Sequence, residues 1–214
     1  MAEKYLDISV SLSESLPVWP SDPRITMPPA SRIADGAGAN ITRLGIGTHT
    51  GTHVDAEWHF IEDGQRLEAL TPDRLIGPCY VADLTHCTTH ISASDLEAAG
   101  IPENSTRVIL KTTNSDLWTT SPTQFQESYI GIAPDGAEWI VNRGLDFIGI
   151  DYHSVEPFKA GGKTHRIILG AGLIILETVD LRNVEPGHYT LYCLPLRIDG
   201  YDGSPCRAVL ETAT

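Results

Sequence analysis

Residues 49–60, HTGTHVDAEWHF, hold three imidazoles and a carboxylate, His49, His53, Asp55 and His59, in a chain with eight histidines altogether. Imidazole nitrogens and carboxylate oxygens are the donors that Zn²⁺, Mn²⁺ and similar ions accept, at roughly 2.0–2.2 Å for zinc. A single histidine is more often a surface or hydrogen-bonded core residue than a ligand. Four such groups in one short stretch call for another explanation, and their spacing decides how they can meet. A helix, advancing about 100° per residue, would throw them into two divergent pairs. At the strand period of two, all four are odd-numbered and point to one side. The spacing therefore predicts an extended segment with Thr50, Thr52, Val54 and Trp58 on its other face, preceded by a strand over 41–47. Gly51, lacking a side chain, leaves room for an ion between the first two histidines.

A second chemical unit lies far downstream in residues 164–181, THRIILGAGLIILETVDL. His165 opens an apolar helical turn that breaks at Gly170 and Gly172, and Glu177 ends a strand of aliphatic residues. A carboxylate is costly to bury alone, and no basic residue lies within that strand. Glu177 is either an edge residue facing water or a partner of the ions of the first motif, with His165 arriving from the helix. Trp19 sits in LPVWPSDP, where three prolines fix an irregular loop. Its ring is either a stacking wall for a flat substrate or a side chain packed on its own domain. His86, Cys87 and His90 form HCxxH beside a threonine-rich turn and read as surface residues rather than ligands.

The elements that position these groups alternate. Residues 5–12 have the pattern of a half-buried strand, 31–40 read as a loop, and strands are expected over 80–84, 107–112 and 146–151. Ser92, Ser94 and Asp95 start a short helix ending near Gly100. Pro134 starts another that stops at Gly144. The long polar connection 113–131, with Asn114, Ser115, Trp118 and Phe125, is of the length that tends to be functional. Further strands are expected over 188–198 and 206–211. Repeated strand, helix and strand units predict one α/β domain over 1–214.

The bulk composition excludes whole classes of partner. Fifteen basic residues against 28 acidic ones, a formal charge of −13, oppose binding to a phosphate backbone or an anionic membrane. Cys79, Cys87, Cys193 and Cys206 form no CxxC pair and read as thiols in a reducing compartment. The first residues lack the basic start and apolar core of a signal peptide, and the longest apolar run, 167–176, is far short of the roughly 18 residues of a membrane span. A cytoplasmic protein acting on a small molecule is expected.

Taken together, the motifs resemble the cyclase family, which includes bacterial kynurenine formamidases, isatin hydrolases and related amide or lactone hydrolases. HTGTHVD with its following HF, a histidine and a glutamate twelve residues apart, PVWPSDP, TNSDLW and LPLRIDGYDGSPCRAVL carry the likeness over nearly the whole chain. The resemblance implies a swivelling β/α type of α/β fold, with a mixed β-sheet flanked by helices, assembled as a homodimer or homotetramer. It implies two divalent ions per subunit, zinc or manganese. His49, His53 and Asp55 would be ligands of the first, Asp55 and Glu177 would be shared, and His165 would bind the second. His59 matches the proton-transfer residue and Trp19 the substrate-contacting aromatic. The implied activity is metal-dependent hydrolysis of an amide, or a cyclic amide or ester, in a small aromatic substrate. The alternatives are ring opening of an isatin or lactone and a non-catalytic metal- or ligand-binding protein. Two positions depart from the family pattern. Glu57 replaces a usual proline on the predicted ligand side, where it could bind substrate, perturb His59 or add an oxygen ligand. Gly162, Lys163 and Thr164 precede His165 where kynurenine formamidases carry an acidic and a small residue.

Overall fold

The computed structural model describes residues 4–212. Strands β1 (Tyr5–Asp7), β2 (Pro29–Ser31) and β3 (Ile41–Thr42) lead to β4 (His53–Asp55). Then follow α1 (Pro72–Leu75), β5 (Ile76–Asp83), β6 (His90–Ile91), α2 (Ala93–Ala98), β7 (Arg107–Lys111) and α3 (Leu117–Thr120). The chain continues through β8 (Gly131–Ile132), α4 (Pro134–Asn142), β9 (Phe147–Ile150), α5 (Lys163–Gly170), β10 (Ile174–Glu177), β11 (Gly187–Pro195) and β12 (Gly203–Thr212).

Eight strands form one sheet in the order β1-β12-β11-β5-β7-β9-β10-β4, and a further pairing of β12 with β4 closes it into a barrel. The arc β5, β7, β9 and β10 is parallel, as expected of strands joined through helices. The remaining pairings are antiparallel, so the sheet is mixed. Closure leaves β4 with no free edge: Asp55 is in register with Ile175 on one side and Gly203 on the other.

Side chains alternate between the two faces of this wall. Val54, Val81, Ile109, Phe147, Ile174, Leu176 and Leu191 fill the barrel, while Val108, Leu110, Ile148, Ile150 and Ile175 pack outward on Leu96, Ala137, Ile140, Ile168 and Leu169 of the helices. The interior has no slack, since a Cβ on Gly149 would come within 3.0 Å of Ile109 Cγ1. The alternation has a direct consequence for the site: with Val54 and Leu176 turned inward, His53, Asp55 and Glu177 must turn outward, toward α5.

Several expected elements take their predicted form. Ser92 caps α2 in a reciprocal box with Asp95, Pro134 opens α4, and Gly144 ends that turn at φ 74°. Others do not. The strand expected over 5–12 stops at Asp7 and that over 41–47 at Thr42, whereas the one expected over 80–84 begins at Ile76. The expected loop 31–40 contains a 3-10 turn, Ile33–Asp35. The connection 113–131 is ordered by local turns, Thr113–Asp116 and α3, and by Asn114, whose amide donates to Ile130 O and accepts from Ile130 N, both at 2.8 Å.

The single extended segment predicted over 49–60 is also corrected. Only His53–Asp55 is strand; His49 lies in a preceding turn and Glu57–His59 is a 3-10 helix. Gly51 adopts φ 67°, and a Cβ there would collide with Leu12 Cδ2, so this glycine serves a left-handed turn and close packing rather than space for an ion. Among the described residues, no helix is long and apolar enough to cross a membrane.

Candidate active site

The cross-strand register sets the centre of the site. Glu177 of β10 stands opposite His53 of β4, and Asp55 lies two residues along on the same face. His53 Nε2 is 3.4 Å from both Asp55 Oδ1 and Glu177 Oε2. α5 brings His165 over this pair, with Nε2 3.2 Å from Glu177 Oε1 and 3.9 Å from Asp55 Oδ2. The turn before β4 brings His49, whose Nδ1 is 2.8 Å from Asp55 Oδ1. His53, Asp55, His165 and Glu177 are all buried. Glu177 takes a further hydrogen bond from Val155 N at 2.6 Å. The residue after it, Thr178, is held at φ 62°, a strained value for a β-branched side chain.

The other nitrogen is hydrogen-bonded in His49 and His53, whereas in His165 it faces a carboxylate at ion-pair distance without a hydrogen bond. His49 Nε2 lies 2.9 Å from Asp202 Oδ2, His53 Nδ1 donates to Gly51 O at 2.7 Å, and His165 Nδ1 is 3.5 Å from Glu156 Oε2. Glu156 is itself fixed, accepting from Gly162 N at 2.6 Å and Thr164 N at 3.2 Å at the start of α5, whose own first turn has no acid. Anchoring one imidazole nitrogen on a carboxylate or carbonyl, so that the other converges on shared oxygens, is how proteins orient histidines toward a metal.

The donor set passes a second test of fit. His53 Nε2 and Asp55 Oδ2 are buried without a hydrogen-bond partner, a costly arrangement for polar atoms at the centre of a folded domain. A divalent cation accepts both. Within the cluster, His53, Asp55 and Glu177 form one group of ligand atoms within 4.8 Å of one another, and His49, Asp55 and His59 form another, with Asp55 in both.

Electrostatics separate His59 from the rest. Burial opposes charge on His49, but Asp55 and Asp202 more than offset it and raise this imidazole to about 9. Glu156 and Glu177 likewise raise His165, to about 10. At His59, burial, reinforced by His49 and His165, outweighs the attraction of Asp55 and lowers the group to about 4, so the ring is neutral at pH 7. No carboxylate holds it closely; Asp202 Oδ2 is 3.9 Å from its Nδ1, and its ring stacks on that of His49 with centroids 3.7 Å apart.

A cavity of about 250 Å³ opens above the cluster, lined in part by His49, His59, His165 and Glu177. Trp19 forms one wall, edge-on to Phe125 at 5.4 Å and tilted on Phe158 at 5.1 Å. Trp19 thus packs on its own domain and also lines the cavity. Phe60 stacks on His165 at 4.2 Å. Glu57 is absent from this lining. It accepts from Gln65 N at 3.0 Å and fixes the turn after the 3-10 helix, because leaving the strand period at Ala56 turns its side chain away from the donors.

Sequence reasoning missed Asp202, Glu156 and His153. Asp202 lay in plain view within IDGYDGSP, but nothing in a linear pattern says that it reaches His49 across 153 positions. Glu156 sits nine residues before His165 and could have been sought as the acid for a helix start that lacks one. His153 lines the cavity and is buried and neutral, burial lowering it to about 3.

A closed mixed-sheet α/β barrel bearing a buried cage of histidines and carboxylates on its helix-covered face defines a class of metal-binding protein folds. The chain belongs to the cyclase family, whose Cyclase model matches residues 6–157. It is similar to cyclase-like protein 3 of Arabidopsis thaliana, 37% identical over 97% of this chain and 79% of the relative. It is also similar to the kynurenine formamidase of Erythrobacter litoralis, 33% identical over 96% of this chain and 92% of the relative. A solved structure described as a potential metal-dependent hydrolase with cyclase activity superposes with a TM-score of 0.84 at 30% identity, covering 99% of both chains.

Proposed function

We propose that this protein is a metal-dependent hydrolase that cleaves a carbon–nitrogen bond in a small aromatic amide, in the manner of an arylformamidase. The observation that carries the reading is the convergence of His49, His53 and His165 on Asp55 and Glu177 at the floor of an aromatic-walled cavity, with His49 and His53 each hydrogen-bonded through one nitrogen and His165 facing Glu156. These five residues would hold two divalent ions, zinc or manganese, because mixed imidazole and carboxylate donors suit either metal. Such ions polarise a carbonyl and lower the pKa of water from about 15.7 towards 7.

The chain's own residues do the rest. Trp19, backed by Phe125 and Phe158, and Phe60 give the cavity hydrophobic walls against which a flat ring can lie, placing its carbonyl over the donor cluster and displacing water. His59, neutral and unanchored, takes a proton at one ring nitrogen from the attacking water and delivers it to the departing nitrogen. Its low proton affinity favours the delivery step. The cavity is near the lower end of ligand pockets, which span about 300–1,000 Å³, so a compact substrate fits best. A small-molecule partner also agrees with the acidic surface.

The test is a substrate panel on chelator-stripped protein reloaded with Zn²⁺ or Mn²⁺. Release of aromatic amine from formylated anilines is the expected result. Ring opening of isatin or a lactone, with formanilides untouched, would move the chain to the alternative hydrolase reading. Tight metal binding with no turnover on any of the three would make it a metal-holding protein.

A further inference from the structure

A second cluster of donors lies on the opposite flank of the helix layer, where the turn after β5 meets the start of α2. Cys87 is buried there at the edge of the helix-side core, among Leu84, Ile91 and Leu96. Its sulfur lies 3.7 Å from His86 Nε2, and that nitrogen lies 3.5 Å from Asp95 Oδ1. All three donor atoms fall within 4.8 Å of one another. HCxxH alone suggested surface residues, but the chain folds so that Asp95, not His90, completes the group.

The backbone turn that carries His86 and Cys87, and the Asp95 side chain, are held by contacts that do not use the donor atoms. The turn is fixed by Asp83 Oδ1, which accepts from Thr85 N at 3.0 Å and Thr85 Oγ1 at 2.7 Å, and by Cys87 N donating to Leu84 O at 3.0 Å. Asp95 gives only Oδ2 to its cap, accepting from Ser92 N at 2.8 Å and Ser92 Oγ at 2.5 Å, and turns Oδ1 to His86. His86 is exposed, which leaves a further coordination position open to water. At zinc bond lengths of about 2.0–2.3 Å, tetrahedral donors lie roughly 3.4–3.6 Å apart. The two separations at His86 Nε2, 3.7 Å to the sulfur and 3.5 Å to Asp95 Oδ1, lie within a few tenths of an ångström of that geometry.

We propose that His86, Cys87 and Asp95 form a separate surface site for a thiophilic divalent cation of the Zn²⁺ or Co²⁺ kind, distinct from the histidine–carboxylate cage. One sulfur, one imidazole nitrogen and one carboxylate oxygen exclude Ca²⁺ and Mg²⁺ as preferred occupants, since those ions take oxygen donors. On binding, Cys87 loses its thiol proton to solvent and the sulfur takes the metal in its place, with no change of oxidation state. The occupied site clips the β5 turn to the first turn of α2, joining segments otherwise held by the core and by backbone contacts.

Cobalt tests this without interference from the main site, which contains no thiol. Added Co²⁺ is expected to give the near-ultraviolet thiolate-to-metal absorption band in the full-length protein at one equivalent beyond those held by the cage. The band should vanish in Cys87→Ser and weaken at least tenfold, at fixed Co²⁺, in His86→Ala and in Asp95→Asn. His86→Ala alters an exposed residue, so its result stands even if Cys87→Ser folds poorly. No band in the parent protein would overturn the proposal, as would a band that persists in Cys87→Ser or is untouched by both other variants.

Discussion

His53 Nε2 stands 3.4 Å from Asp55 Oδ1 on its own strand and 3.4 Å from Glu177 Oε2 on the neighbouring one. One imidazole thus spans the β4–β10 pairing at the point where the two halves of the motif meet, 122 positions apart in sequence for the Asp55–Glu177 pair. Glu177→Ala should therefore lower metal affinity by more than the roughly 10–100-fold typical of losing an outer hydrogen-bond partner. Elemental analysis after dialysis checks this. Full metal retention in the variant would place the ion elsewhere.

His59 is expected to move protons rather than hold metal. His59→Ala should cut turnover by about 10²–10⁴ while leaving metal content unchanged. Its place beside His49 and Asp55 gives the opposite outcome a clear meaning. A variant that loses an ion would make His59 a ligand.

Asp202 orients His49 from outside the cage. Asp202→Asn keeps the size of the side chain but removes the charge that holds the ring, so metal affinity or kcat should fall roughly 10–100-fold. Competition with a chromogenic chelator would measure the first and steady-state assays the second. An unchanged variant would mean that the His49 ring is held without Asp202.

Trp19→Ala should act on substrate binding alone. Losing one stacked wall is worth about 1 kcal/mol, or roughly a fivefold rise in KM. Trp19→Phe should recover most of it. A fall in kcat with KM unmoved would show that the ring works on the reaction and not on binding.

The metal-free protein should have its own pH dependence. Without an ion, the folded state holds the His49 proton to about 9 and the His165 proton to about 10, above the ordinary histidine value of 6.5. Where the folded state binds more protons than the unfolded one, stability falls as pH rises. The contribution of these two groups is complete below pH 6.5 and is lost as pH climbs through 9 and 10. Metal binding displaces the same protons, so affinity should increase over that interval. Thermal melts from pH 7 to 10 should show Tm falling in stripped protein and holding in loaded protein; parallel curves would argue that the ion does not replace those protons.

The chemistry was legible in the sequence because the donor residue types are rare and closely spaced, and Glu177 stood out as an acid closing an aliphatic strand. The geometry was not. A period-two strand would have placed His49, His53, Asp55 and His59 in line, but the chain reaches the same convergence through a turn at Gly51 and a 3-10 helix at Glu57–His59. Local spacing carries no record of a left-handed glycine packed on Leu12, nor of the β12–β4 pairing that closes the barrel. Glu57 was misplaced for that reason: once the strand period ends at Ala56, odd and even positions no longer mark faces. The Asp202 and Glu156 contacts depend on loops folding over the cage, which only the three-dimensional arrangement fixes.

Titration of chelator-stripped protein with Mn²⁺, an ion that the Cys87 site disfavours, measures the central claim most directly. Amide hydrolysis should be absent from the stripped protein, rise in proportion to bound metal and level off at two equivalents. Undiminished hydrolysis by protein with no detectable metal would contradict the account.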